Sequence, residues 1–364
     1  MEHTMQSHPA GAAALLFTIL TIWIPASIGQ SAPHTAGSAP NTITKAEDLA
    51  AVNNLVQANE VLSEYLTHDP GNVQVLLVLG RIQLKQGLND DAMTSFESVL
   101  RVDPASAPAR DGEVQAAAAA ALADQKIGID GDALLSLIRA RKFVSNSPEL
   151  LFDFGEQAER MRIYRDSDEA LTRAHALAPQ DLKILYALAH VQLDEQKMPE
   201  AESNLRAYLQ QRPDDATAHY GLGHLLHMVS RDDDAKVELT RSIELQPRQS
   251  ASYYELGEIA LENDTNDEAK ADYEKVLSLA PHHGGALTGM GILAFRAKDY
   301  ASAEHYLQSA VLYAPEYATA HHYLSLVLAR LGRADEAKRE ADQAAALNDA
   351  DIKARRGNVL TVIH

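Results

Sequence analysis

The chain has 364 residues, 46 % apolar but only 5 % aromatic, with no cysteine and a formal charge of −19. The missing cysteines exclude disulfides, thiolate metal sites and a cysteine nucleophile. The acidic balance argues against nucleic acid as a partner, because that affinity comes from Lys and Arg neutralising phosphates, and an Ala- and Leu-rich composition poor in aromatics points to helices rather than sheets.

Residues 1–29 carry one charge, Glu2, and an apolar run from Gly11 to Ile24 followed by Pro25, Ala26, Ser27 and Gly29. This is the order of a secretory signal peptide, although the head offers only His3 and His8 in place of basic residues. The run is shorter than the roughly 20 residues that span a membrane, so an uncleaved anchor is the weaker alternative and the only membrane contact expected. Export to a periplasm or outside the cell is the expectation. Residues 30–44, rich in Ser, Ala, Pro and Gly and free of charge before Lys45, read as a flexible linker.

A period then sets in. Pro70, Pro104, Pro179, Pro213, Pro247, Pro281 and Pro315 are 34 residues apart except for one gap of 75. Proline at that position ends one helix pair and turns the chain into the next. Counting each proline as the thirty-second place of a unit, the eighth place holds Gly80, Gly155, Ala189, Gly223, Gly257, Gly291 and Ser325. The twentieth holds Ala92, Ser167, Ala201, Ala235, Ala269, Ala303 and Ala337. Small residues there let two helices approach closely. Large residues at the twenty-fourth place, among them Phe96, Leu171, Leu239 and Tyr273, fill the space between neighbouring pairs.

These columns resemble the tetratricopeptide repeat, a 34-residue helix–turn–helix unit with Leu-Gly, Ala and Pro at these places. The resemblance implies an all-α fold, an α-solenoid of tandem units wound as a right-handed superhelix. About nine units are expected over 45–351, irregular at 105–147. The unit 39–72 has a poor first helix, and the irregular unit, with its Ala116–Ala121 run and Gly128–Gly131 loop, reads as a distorted repeat rather than a bend between two arrays. Its basic knot, Arg139, Arg141 and Lys142, reads as a solvated helix face. Residues 352–364 leave the pattern and read as a cap for the last helix or a free tail. The family's fourth-place Trp is replaced by His219 and His321 in two units, read as packing residues with one satisfied nitrogen.

No HExxH, GxSxG, P-loop or GxGxxG is present, so neither catalysis nor a cofactor is expected. Acidic runs such as Asp232-Asp233-Asp234 precede second helices and read as caps. The resemblance implies that the second, fifth, ninth, twelfth and thirteenth places line a concave face. Those places assign ligand contact to Phe152, Tyr186, His190, Tyr220, His224, His227 and Tyr254. Aromatic rings with polar tips suit an extended peptide, or a sugar as the alternative. His190, His224 and His227 could share a zinc by residue type. Successive helices stand about 10 Å apart, however, and nothing in the sequence forces a carboxylate near them, so no metal is expected. The expectation is a non-enzymatic scaffold of the cell envelope that binds a protein or peptide, with a glycan-binding accessory factor for polysaccharide export or wall assembly as the alternative.

Overall fold

The computed structural model describes residues 38–360, with side chains to residue 350. The expected signal peptide and residues 30–37 lie outside the described residues. The described part is eighteen helices in nine hairpin pairs. The first five pairs are α1 (Ala39–Ala51) with α2 (Leu55–Leu66), α3 (Val73–Gln86) with α4 (Asn89–Val102), α5 (Ala107–Lys126) with α6 (Asp130–Arg141), α7 (Pro148–Arg160) with α8 (Tyr164–Leu177), and α9 (Leu182–Asp194) with α10 (Met198–Gln211). The other four are α11 (Ala216–Met228) with α12 (Asp232–Leu245), α13 (Ser250–Glu262) with α14 (Asn266–Leu279), α15 (Gly284–Arg296) with α16 (Tyr300–Tyr313), and α17 (Ala318–Arg330) with α18 (Ala334–Leu360). Among the described residues there is no strand. Each helix packs on the next, and first helices of successive pairs also touch, as α13 does α15 and α15 does α17.

The repeat columns explain the packing. A Cβ on Gly80, Gly155, Gly223, Gly257 or Gly291 would lie 2.5–2.7 Å from the side chain sixteen residues on, respectively Phe96, Leu171, Leu239, Tyr273 and Leu307. The eighth place is therefore the seat of the twenty-fourth, and a larger residue must displace that side chain. Phe96 and Tyr273 reach further, against Gly112 and Gly289 of the following units, which couples neighbours as the sequence pattern predicts. Ala92, Ala201, Ala235, Ala269 and Ala303 at the twentieth place are fully buried.

The nine turns inside the pairs share a feature the sequence did not announce. Each has one residue in the left-handed region at the fifteenth place or its counterpart: Gly87, Gly128 and Gly332, but also Asn53, Arg162, Gln196, Ser230, Asp264 and Lys298. That conformation costs a Cβ-bearing residue roughly 1–2 kcal/mol, which helix packing on either side must offset.

Capping differs from expectation. Side-chain caps form at the starts of first helices, where Asn72, Ser147, Asp181 and Asp215 accept from backbone N–H groups. The acidic runs before second helices sit one turn further in, within the first turns of α4, α12 and α14, where no side-chain cap bond is made. Their carboxylates oppose the helix dipole, and Asp90, Asp232 and Asp234 form ion pairs. Arg231 bridges Asp234 of its own unit and Glu202 of the preceding one, and Arg333 repeats this with Glu336 and Glu304.

Four other expectations change. The linker ends before residue 44, because α1 begins at Ala39 with Pro40 in its first turn, where a fixed φ suits a helix start. Ala39, Ile43 and Ala46 of that helix pack on Ala58 and Leu62. Two residues of the basic knot are not solvated: Arg139 donates to Glu97 and Thr94 across α4, and the Arg141 guanidinium stacks 3.9 Å over the Phe154 ring, while Lys142 is exposed. His219 and His321 satisfy both ring nitrogens, Nδ1 on Glu238 or Glu340 and Nε2 on the carbonyl of Pro213 or Pro315. Finally, α18 runs on to Leu360, so residues 352–360 continue the last helix rather than forming a separate segment.

Candidate functional site

The first helices α7, α9, α11 and α13 bring the sequence-assigned residues to consecutive positions, but not into one equivalent row. Phe152, Tyr186 and His190 line a cleft of about 530 Å³ together with Glu156, Glu159, Leu182, Lys183, Ala187, Tyr208 and Arg212. Its floor is aromatic: the Tyr186 and Tyr208 rings are tilted with centroids 5.0 Å apart. Tyr208 is itself buried, its hydroxyl donates to Asp215 at 2.8 Å, and burial with that bond pushes its pKa up to about 12. The rim is charged on both signs, Lys183 and Arg212 against Glu156 and Glu159. Burial, reinforced by Asp153 and Glu159, raises the Glu156 carboxyl above its ordinary range.

One unit on, Tyr220 stacks against His224 at 6.1 Å, and His224 Nδ1 pairs with Glu255 Oε1 of α13 at 3.0 Å. That hydrogen bond outweighs burial and raises the His224 pKa. His190 Nδ1 pairs in the same way with Glu159 of α7, which likewise raises its pKa. His227 turns to its own unit, with Nδ1 3.0 Å from Asp232 in the turn into α12. The three histidines thus do not converge, and each has a carboxylate partner that sequence reasoning did not foresee. Two of the bonds run between units, so only knowledge of how first helices stack would have supplied them.

Tyr254 departs most from its assignment. Its ring lies 4.8 Å from His283 and 6.3 Å from Tyr273, and a Cβ on Gly285 would lie 2.7 Å from it. Burial, then the neighbouring Glu258 and Tyr317, raises its pKa far above the ordinary phenol value. Its half-buried ring packs against the following unit.

Sequence reasoning missed Tyr208 of α10 and Arg212, which follows its last residue, on a second helix that the place rule does not cover. It also missed Glu159 and Asp194, although they occupy the twelfth and thirteenth places of their units and the same rule selects them. Among the described residues, Glu159, His190 and Asp194 form a cluster in which one ligand-type atom from each lies within 4.8 Å of the others. No described helix is long and apolar enough to cross a membrane.

Comparison with known proteins agrees with this architecture. Family models described as tetratricopeptide repeat match residues 49–123, 186–235, 250–283 and 288–354. No curated protein sequence matches the chain. Among solved structures, one described as functional characterisation of Pseudomonas aeruginosa pilF is 16 % identical with a TM-score of 0.51, over 60 % of this chain and 99 % of that one. The anaphase-promoting-complex hetero-tetramer Cut9-Hcn1 is 15 % identical with a TM-score of 0.54, over 88 % of this chain and 62 % of that one. Likenesses of this degree speak to fold alone.

Proposed function

Because the chain belongs to the tetratricopeptide repeat proteins, we propose that it is a non-enzymatic scaffold of the cell envelope whose concave face binds a protein or peptide. The observation that carries this reading is the cleft between α7, α9 and α10, where Phe152, Tyr186 and Tyr208 offer aromatic contact beside charges of both signs. Rings of this kind supply contact area at low entropic cost and a polar tip for a backbone hydrogen bond. Envelope location rests on the signal-like residues 1–29. N-terminal sequencing of the protein from a periplasmic or culture fraction should find a new terminus after the Ala26–Gly29 stretch, and an intact Met1 in a cytoplasmic fraction would remove that part.

Partner capture is the direct test. Cross-linking and pull-down from the envelope fraction should recover a protein that Tyr186→Ala releases. Loss of a central aromatic anchor costs about 2 kcal/mol or more, roughly a thirtyfold change in affinity. Recovery unchanged in Tyr186→Ala and in Phe152→Ala would overturn the cleft as the contact. A glycan remains the second reading, favoured by the Tyr186–Tyr208 ring pair. Binding on a glycan array that disappears in Tyr186→Ala would select it over the peptide.

A further inference from the structure

We infer that Glu159, His190 and Asp194 form a binding site for one divalent transition-metal ion of the zinc class at the edge of the concave cleft. His190 and Asp194 are four residues apart on α9 and so share one helical face. Glu159 comes from the last turn of α7, the neighbouring first helix. One ligand-type atom from each of the three lies within 4.8 Å of the others, and no other group of three such side chains comes as close among the described residues. A tetrahedral zinc with ligands at 2.0–2.2 Å sets its donor atoms about 3.4 Å apart. The side chains must therefore shift by roughly an ångström around the ion, with the 2.5 Å His190–Glu159 bond opening to admit it, a movement open to His190, whose side chain is 57 % exposed.

The donor set selects the metal class. One imidazole with two carboxylates is the nitrogen–oxygen mixture that suits zinc and its first-row neighbours, whereas calcium and magnesium take all-oxygen shells. Two of the three residues also line the 530 Å³ cleft, which leaves room for water in the fourth position.

Electrostatics run the same way. Burial and the neighbouring Glu159 charge raise the Asp194 carboxyl, while His190 lowers it. The His190 imidazole is raised chiefly by its hydrogen bond to Glu159, against the effect of burial, with Asp194 adding to it. The three side chains set two carboxylates beside one imidazole, a donor set whose negative charge a divalent cation offsets. His224 lacks this arrangement, since it meets a single carboxylate, Glu255.

Calorimetric titration of the purified full chain with zinc chloride alone tests the site. The expected result is one saturable equivalent, with affinity lowered at least about tenfold by His190→Gln and by Asp194→Asn, and unchanged by His224→Gln. Circular dichroism should show the same helix content and melting temperature for each variant without metal. Affinity should also fall as the pH is lowered, since the proton competes for His190. Absence of saturable binding overturns the site, and so does an equivalent whose affinity survives His190→Gln, which would belong to histidines elsewhere in the chain. No partner protein enters this measurement, so its failure leaves the peptide-binding reading intact.

Discussion

The pair α5–α6 and the pair α11–α12 meet the same packing problem with different residues. In α11–α12 the contact is a glycine seat: Gly223 receives Leu239, and Ala235 lets the helices close. In α5–α6 the first helix is 20 residues long and presents Ala109, Gly112, Ala116, Ala117, Ala120 and Ala121 as one buried stripe. The aromatic ring it receives, Phe96, comes from the preceding pair, and a Cβ on Gly112 would lie 2.4 Å from it. The stripe also buries Glu113 completely, and neither of its carboxylate oxygens has a partner. In the regular pairs Ser242 bonds the Ala216 carbonyl, Ser252 and Gln249, and Gln192 bonds Asp168 and Asn204. The irregular unit therefore holds its place with an aromatic ring from the preceding pair, as α15 does with Tyr273, and it buries a whole carboxylate with neither oxygen paired.

The largest effect should follow from removing the borrowed ring. Phe96 is fully buried and fills the seats of Gly80 and Gly112 together, so Phe96→Ala should cost about 3–5 kcal/mol. Urea unfolding should show the loss concentrated in an early transition, because a defect in a stack with nearest-neighbour coupling uncouples the units on either side. An effect no larger than that of a peripheral Leu would refute the idea that one ring serves two units.

Next comes Glu113. Burial, with Glu97 adding to it and Arg139 and Arg101 opposing, raises its pKa from 4.5 to about 8. Between those values the folded chain keeps a proton that the unfolded chain has released, so stability falls as pH rises across this window and levels off above it. Glu113→Gln removes the proton exchange. Relative to that variant, the native chain should lose on the order of 4 kcal/mol between pH 4.5 and 8. Parallel unfolding curves for the two proteins across that range would sink the assignment.

The same contrast shows what was legible in advance. The 34-residue columns gave the pairs, their boundaries and the seats of α11–α12, because identical contacts recur and their residues recur with them. The seven extra residues between Pro104 and Pro179 marked the irregular unit, but Phe96 looked like any twenty-fourth-place residue and its reach to Gly112 was hidden. Of the residues the place rule assigns, Phe152, Tyr186 and His190 line one cleft. Tyr254 and His227 lie outside that cleft, their surroundings set by Gly285 of the next unit and by Asp232 at the start of α12. The rule was silent on Tyr208, since second helices enter the groove only where a long side chain leans across.

Two smaller changes sharpen the regular side of the comparison. Gly223→Val drives a branched side chain into Leu239 Cγ, 2.7 Å from the Cβ position, and overpacking of this kind should cost about 1–3 kcal/mol. Gly221, two residues earlier on α11, has nothing within 4 Å of its Cβ position and serves as the control. Ser230 should move the other way. Its φ of 59° is a left-handed conformation held between α11 and α12, and Ser230→Gly should stabilise the chain by up to about 1 kcal/mol. A thermal midpoint lowered by that change would mean that the Ser230 side chain does more than tolerate the turn.

The smallest expected effect concerns the inter-unit histidine pairs, which exist only where regular first helices stack in register. His224 is raised chiefly by its hydrogen bond to Glu255 of the next unit, against the effect of burial. A histidine whose folded pKa is raised contributes stability that is complete below its ordinary value of 6.5 and disappears as pH climbs through the raised value. The His224 side chain is 35 % exposed, so solvent screening holds the contribution below about 1 kcal/mol. Proton NMR titration should place His224 above 6.5, and Glu255→Gln should return it to the ordinary range or below, since only burial then acts on it. His190 should respond to Glu159→Gln in the same direction, as Glu159 is its largest influence. If both titrations stayed unchanged, the first helices would not be close enough to exchange charge. The regular pairs would then be coupled through their glycine seats and aromatic plugs alone, as the irregular pair is through Phe96.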